Sequence, residues 1–436
     1  MQNPPEPSNT PGDQPGWNRR HFLGGIIGAT AAASALASVK TIAAKAPPKA
    51  TETIPPPEPA PVITRKIKVG LVGCGTRGSW IIKLFKDHGG FDVVALGDYF
   101  QDAVDKCGDA LAVDSSKRFT TLSAYKKVIE SGAEAVAFIT PPYFFPEHVV
   151  AGVDAGLHVY MAKPIAVDAP GCLKIAAAAK KATEHQRCFL VDFQLPTDPS
   201  NIEVRKRLLG PGTGALAHVT SFGMGGGGGD IMPQQKTAEY FMRHGAWMHS
   251  IAMGGDMIVN FDIHGIDGAL WVIGERPVAA SGTSRVLVDH APSVQDAHTV
   301  CSVIYEYTSG VIHTHIGQGL TNQAVPLPAS LCAQVYGRTG SGAVSYGGKA
   351  EYRCADDAFV GPVTDLYGAG VKRNIATFYR NIVDNDFSNP TVPRAVDSTL
   401  TAILGRDAAE SRARMTMDEL IKIGKLREID LTGLKT

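Results

Sequence analysis

From Ile67 onward, short continuous apolar runs alternate with longer stretches of helical patterning. The runs Ile67 to Gly73 (IKVGLVG), Phe91 to Asp98 (FDVVALGD), Ala133 to Thr140 (AEAVAFIT), His158 to Met161 and Arg187 to Phe193 (RCFLVDF) predict strands. Helices are predicted between them at Ser79 to Asp87, Gln101 to Leu111, from Pro141-Pro142 to about Ala155, and Ala169 to Thr183. Strands that are apolar throughout, rather than alternating, belong to a parallel sheet covered by helices on both faces.

Beyond residue 194 the texture changes. Residues 215–224, 278–287, 296–307, 311–319 and 331–345 read as strands with little helix between them, which predicts an open, mostly antiparallel sheet. Helices return at about 262–273, 369–384 and 396–414. The expected fold is therefore α/β: an N-terminal Rossmann domain over 66–193, then an α+β domain over 194–436 with a large open sheet and C-terminal helices.

The first residues break the pattern. Asn18-Arg19-Arg20-His21-Phe22-Leu23 followed by the apolar run Gly24 to Ala37 has the order of a twin-arginine export signal, with small-residue cleavage sites at Ala35-Leu36-Ala37 or Ala44-Lys45-Ala46. The run is too short to span a membrane stably. Residues 1–46 are thus expected to be signal and tail, and 47–65 a Pro-rich linker or arm. This predicts a periplasmic or secreted protein that meets the twin-arginine machinery already folded, either cleaved or retained as an uncleaved anchor.

Composition then narrows the partners. In 436 residues, 42 Lys and Arg balance 42 Asp and Glu with no basic stripe, which argues against nucleic acid. Seven scattered cysteines show no C-x-x-C spacing and are expected as buried thiols.

Candidate chemistry sits where predicted strands end. Gly73-Cys74-Gly75-Thr76-Arg77-Gly78 is G-x-G-x-x-G at a strand-to-helix junction, the context that lets backbone and a helix N-terminus hold a pyrophosphate. Asp98 closes the next strand, 20 residues after Gly78, where a carboxylate would accept from ribose hydroxyls and repel a 2′-phosphate. NAD is preferred over NADP on that ground. Thr140 and Pro141 end a further strand at the same edge. Lys163 follows the apolar HVYMA run and precedes Pro164; it is either a pocket cation or a snorkelling surface lysine. In NFDIHGID, Asn260, His264 and Asp267 would share one helical face, with His264 as proton acceptor, Asn260 orienting substrate or histidine and Asp267 fixing the imidazole tautomer, or His264 as a structural histidine. His244, His249 and His264 with Asp256 and Asp262 lack the spacing of a metal set, and no metal is expected. GMGGGGGD (Gly223 to Asp230) reads as a flexible loop.

Taken in order, VGLVGCGTRG, ALGD, ITPP, AGLHVYMAKPIA, GGD…NFDIHGID with LWVIG, and the closing MTMDEL resemble the Gfo/Idh/MocA oxidoreductases, from about Ile67 to the C-terminus. The resemblance implies a bound nicotinamide dinucleotide, a sugar or polyol substrate and a homo-oligomer, dimer or tetramer. It places Lys163 on the family's E-K-P lysine and His264 on its catalytic histidine, beside a cofactor held by Gly73, Gly75, Thr76, Arg77, Gly78, Asp98, Thr140, Pro141 and Lys163. Four positions depart from the family pattern: Ala162 replaces the glutamate of E-K-P, Asn260 an aspartate, Phe145 a histidine and Pro196 an arginine. The expected activity is oxidation of a carbohydrate hydroxyl on tightly bound NAD. Glycoside cleavage through transient oxidation, and sugar binding without catalysis, are the alternatives.

Overall fold

The computed structural model describes residues 50–52, 62–225, 235, 237–243, 245–286, 296–319 and 331–436. The twin-arginine segment, its cleavage sites, almost all of the Pro-rich stretch, His244 and residues 226–230 of the glycine loop lie outside them. None of the described helices is long and apolar enough to cross a membrane.

A two-residue strand, β1 (Thr51–Glu52), precedes the first main sheet. That sheet comprises β2 (Ile67–Val72), β3 (Phe91–Gly97), β4 (Arg118–Phe119), β5 (Ala135–Phe138), β6 (His158–Ala162) and β7 (Phe189–Asp192). The strands are parallel, in the order β4-β3-β2-β5-β6-β7. Every residue of β5, β6 and β7 is buried, the signature of strands covered on both faces. The order reverses at β2, so the carboxyl ends of β2 and β5 flank the crevice where such sheets bind ligands.

The second sheet has ten strands in the order β1-β15-β14-β13-β12-β8-β11-β10-β9-β16. They are β8 (Leu216–Met224), β9 (Ala279–Arg285), β10 (Val300–Glu306), β11 (Ile312–Gln318), β12 (Leu331–Gly337), β13 (Gly340–Ser345), β14 (Gly348–Cys354), β15 (Ala358–Val363) and β16 (Met415–Thr416). Pairing is antiparallel except for β8 with β11 and β1 with β15. The alternating burial of β10 and β11 marks a sheet with one covered face. The single strand expected over 331–345 is a hairpin, because the chain reverses at Arg338-Thr339. Strands β14 and β15 and the helix Pro199–Leu208 carried too little apolar periodicity to be anticipated.

The helix Thr391–Ser411 is buried along most of its length and packs against β9, β7 and the helix Ala169–Glu184, so it bridges the two sheets. Its Arg406 is almost fully buried. The guanidinium donates to the carbonyls of Val167 at 2.7 Å and Gly255 at 2.9 Å, and to Asp407 at 2.8 Å. One charged side chain therefore ties the loop after Lys163 to the loop before Asp256, and its burial is tolerated because its donors are partnered. Asp168 caps Ala169–Glu184 by accepting from the N–H of Gly171 at 2.8 Å, which fixes where the Lys163 loop ends.

Candidate active site

The glycine loop is built as a dinucleotide cradle. Gly73 has φ +100°, and a Cβ there would lie 2.5 Å from the Ile139 carbonyl oxygen. A Cβ on Gly78 would lie 1.7 Å from the Gly73 carbonyl oxygen, so turn and helix close on each other only without side chains. Gly75, by contrast, faces open space and N-caps Thr76–His88 without any side-chain hydrogen bond. The first-turn N–H groups of that helix, Thr76 and Arg77 among them, are left for an anion, and the residues present fit a pyrophosphate. Asp98 accepts from the N–H of Cys74 at 2.6 Å and of Phe100 at 3.0 Å, one bond to each carboxylate oxygen. Each oxygen keeps capacity for a ribose hydroxyl. Burial raises the pKa of this carboxyl, and its backbone donors oppose the rise.

Lys163 follows the last residue of β6, and its Nζ donates to the Asn260 carbonyl at 2.5 Å. Burial pushes the ammonium down to about 7; Arg77 adds to the fall, while Asp192 and Asp262 oppose it. The side chain turns inward onto a backbone carbonyl rather than snorkelling to the surface. His264 is buried near the start of Ile263–Ile273, its ring 4.5 Å from that of Tyr346, and its Nδ1 has no hydrogen-bond partner. Burial, reinforced by the Lys163 and Arg77 charges, holds its pKa well below the ordinary value. The imidazole is therefore held in its neutral form.

The expected single helical face does not form. A short helix ends at Asn260, and the chain breaks at Phe261-Asp262 before the next helix starts at Ile263. Asn260 consequently serves through its backbone carbonyl, while its side-chain nitrogen has no partner. Asp267 points away from the histidine: it accepts from Ser398 at 2.8 Å and pairs with Arg394 at 3.1 Å. The proposed tautomer control by Asp267 is corrected accordingly.

Arg77 also departs from expectation. Its guanidinium pairs with the fully buried Asp192 at 3.0 Å and lies 4.7 Å from the Tyr367 ring, so the side chain serves the Lys163 pocket and only its N–H remains for phosphate. Asp192 also accepts from Asn374 at 2.8 Å. Gln194 donates to the Asp192 carbonyl at 3.0 Å and accepts from Tyr346 at 2.5 Å, linking Asp192 to the ring beside His264. An acid ending the buried run RCFLVD carried the same signal as Lys163 and could have been read. Tyr346, in a hairpin turn of the other sheet, could not.

Thr140 approaches the Nδ1 of His148 at 3.5 Å, and burial lowers that histidine to about 3. Pro141 precedes the 3-10 turn Pro142–Phe144. Of the histidine and aspartate set weighed for metal, Asp256 bonds His298, from the N-terminal approach to β10, and Asp262 bonds His315 on β11 at 3.1 Å; neither converges with His264.

Residues 67–191 match the model of the Gfo/Idh/MocA family, described as an oxidoreductase family with an NAD-binding Rossmann fold. The chain is 25% identical over 246 residues to an inositol 2-dehydrogenase of Rhizobium meliloti (strain 1021), a match covering 56% of this chain and 66% of that relative. An inositol 2-dehydrogenase 4 of Saccharopolyspora erythraea is 24% identical over 255 residues, again 66% of its length. Just under two thirds of each curated relative is thus spanned. Among solved structures, a levoglucosan dehydrogenase in complex with NADH and levoglucosan superposes with a TM-score of 0.67 at 13% identity, over 81% of this chain and all of that one. An aldose-aldose oxidoreductase from Caulobacter crescentus, complexed with glycerol, gives 0.64 at 16% identity, also over 81% of this chain and all of that one. These likenesses establish the two-sheet fold.

Proposed function

Because residues 67–191 match the model of the Gfo/Idh/MocA oxidoreductases, described as having an NAD-binding Rossmann fold, we propose that the chain oxidises a secondary hydroxyl of a sugar or polyol. The observation that carries this reading is the meeting of Lys163, a softened ammonium held by the Asn260 carbonyl, with a buried neutral His264 at the carboxyl edge of the first sheet. Lys163 donates to the substrate oxygen and stabilises charge developing there. His264 takes the hydroxyl proton. Bound NAD supplies the acceptor for the hydride leaving the same carbon. The Arg77–Asp192 pair lies beside Lys163, Arg77 lowering its pKa and Asp192 opposing the fall. The curated relatives' names and the levoglucosan complex support a polyol or cyclic sugar as substrate.

The cofactor is retained rather than exchanged. Beside Asp98, the Tyr99 hydroxyl accepts from the Lys435 N–H at 3.3 Å, and the Lys435 carbonyl accepts from Leu122 at 2.9 Å. Arg243 pairs with Asp102 at 2.6 Å and lies 4.7 Å from the Phe100 ring. Leu431 and Leu434 of the C-terminal tail join the apolar cluster of Phe144, Phe241 and Met253. Tail and helix Ala238–Arg243 thus strap the edge where adenosine would lie. Retention suits a protein exported folded by the twin-arginine route, the localisation that Arg19-Arg20 supports. The exposed Ile304, Ile312 and Tyr336 on the second sheet support a homo-oligomer.

The strap also favours a second reading, glycoside cleavage by transient oxidation, elimination and re-reduction, because that cycle needs no cofactor exchange. Purified protein incubated with inositols, aldoses, anhydrosugars and a glycoside panel decides between them. Reduction of the bound NAD, about one per chain, with the carbonyl product formed supports the first; aglycone release with no reduced cofactor left supports the second; neither, in protein that binds NAD, overturns both.

A further inference from the structure

Asp262, the residue at which the helix breaks, opens a second polar cluster on the covered face of the second sheet. Its carboxylate lies flat on two glycines that pair across β8 and β11, Gly223 and Gly317. A Cβ on Gly223 would come 2.1 Å from Oδ1, and one on Gly317 would come 2.0 Å from Oδ2. Next to it are Cys301 of β10, in register with Gly317, and His315 of β11. Oδ2 lies 3.1 Å from His315 Nε2 and 3.8 Å from Cys301 Sγ, and the three ligand-type atoms all fall within 4.8 Å of one another. All three residues are buried, and Asp262 Oδ1 has no hydrogen-bond partner.

We propose that Asp262, Cys301 and His315 bind a divalent metal ion, with zinc the best fit to a thiolate, an imidazole and a carboxylate. Zinc bonds of about 2.0 to 2.3 Å in a tetrahedron separate ligand atoms by roughly 3.3 to 3.7 Å. The observed 3.1 and 3.8 Å from Asp262 Oδ2 bracket that span, and His315 Nε2 and Cys301 Sγ, within 4.8 Å of each other, would draw together on an ion. The imidazole is held as a ligand histidine usually is: His315 Nδ1 meets Ser221 Oγ at 2.8 Å, and Ser221 meets His313 Nε2 at 2.7 Å. A cavity of about 10 Å³, lined by Asp262, Cys301, Gly317, Asp256 and His298, adjoins the cluster. It has room for about one water as fourth ligand. Because Asp262 sits between Asn260 and His264, the ion would pin the catalytic turn to β10 and β11.

The inference is independent of the reaction proposed above, and its test reads metal rather than turnover. Full-length protein is stripped with chelator, reloaded with Zn²⁺ or Co²⁺, and checked for fold by NAD binding. The expected result is about one ion per chain, with a Co²⁺ spectrum showing tetrahedral visible bands and thiolate charge transfer. Cys301→Ser should abolish the charge transfer, and His315→Gln should weaken Zn²⁺ binding at least roughly 100-fold. Cys172→Ser, in a distant helix, should change neither. Should the ligand variants not fold, the wild-type melting temperature decides, rising with micromolar Zn²⁺ and falling again with chelator. NAD-binding wild type that takes up no ion, an unchanged spectrum in Cys301→Ser, or a melting temperature indifferent to Zn²⁺ would overturn the site. The cluster would then be a hydrogen-bond relay from Tyr307 through His313, Ser221 and His315 to Asp262.

Discussion

The two ends of one ligand crevice use different physics. Around Gly73 to Gly78 and Asp98, recognition rests on backbone N–H groups, a helix terminus and one carboxylate, all within one strand–helix–strand unit. Around Lys163, side chains do the work, and they arrive from distant segments: Lys163 reaches a carbonyl 97 residues away, and Asp192 accepts from an asparagine 182 residues away. At the first end Gly75 faces open space and backbone donors oppose the effect of burial on Asp98, whereas at the second burial lowers Lys163 to about 7 and His264 well below its ordinary value. One end is built to hold, the other to react.

Breaking the reactive end should give the largest effect. Lys163→Ala removes the proposed donor to the developing alkoxide and should lower kcat/KM about 10³-fold. His264→Ala removes the proposed proton acceptor and should cost ~10²- to 10⁴-fold. Calorimetry should find NAD affinity nearly unchanged in both. An equal loss of affinity and turnover would erase the division between the two ends.

The pH profile sharpens the same contrast. If the charged form of Lys163 is the active one, kcat/KM should fall as pH rises through about 7, where the ammonium loses its proton. His264, neutral because burial and two cations depress its pKa, should add no acid limb until well below 6.5. Lys163→Arg keeps its charge to about pH 12 and should flatten the descending limb. A rate that instead climbs through 7 would make Lys163 the proton acceptor.

These differences also explain what could be read in advance. The parallel strands and the cradle were legible because strand, turn and helix signals lie adjacent in the chain, as in IKVGLVGCGTRG. Lys163 and His264 stood out by position with two readings each, the family resemblance chose between them, and their immediate surroundings depended on contacts that no local pattern encodes. The break at Asp262 is the clearest case. A helical face was expected through Asn260, His264 and Asp267, but the Asp262 carboxylate packs on Gly223 and Gly317 of two separate strands, and the helix yields. Tertiary placement outweighed periodicity there. The hairpin at Arg338-Thr339 was missed for the opposite reason: a Gly-rich run with weak alternation conceals a turn.

At the holding end the expected effects are smaller. Asp98→Asn keeps one acceptor oxygen but loses the charge. It should weaken NAD about 10-fold, roughly 1.4 kcal/mol, and narrow the preference over NADP, with kcat at saturation little changed. Competitive binding of the two dinucleotides checks this. A change confined to kcat would mean that Asp98 acts on the chemistry after all.

The smallest effect tests whether holding extends beyond the cradle to the strap. Removing residues 433–436 deletes Leu434 and the two Lys435 hydrogen bonds, at 3.3 Å to Tyr99 and 2.9 Å from Leu122, and leaves every residue of the cradle and the pocket in place. Two part-exposed hydrogen bonds contribute about 1 kcal/mol together, equivalent to roughly a 5-fold faster release of NAD. Stopped-flow displacement of bound NADH, read by its fluorescence, measures that rate directly. If the cofactor stays bound through the cycle as proposed, release lies outside it and turnover with saturating cofactor should stay within about two-fold. An unchanged release rate would show that cradle and Asp98 alone retain the dinucleotide, and the tail would then be a fastening for the helix Ala238–Arg243.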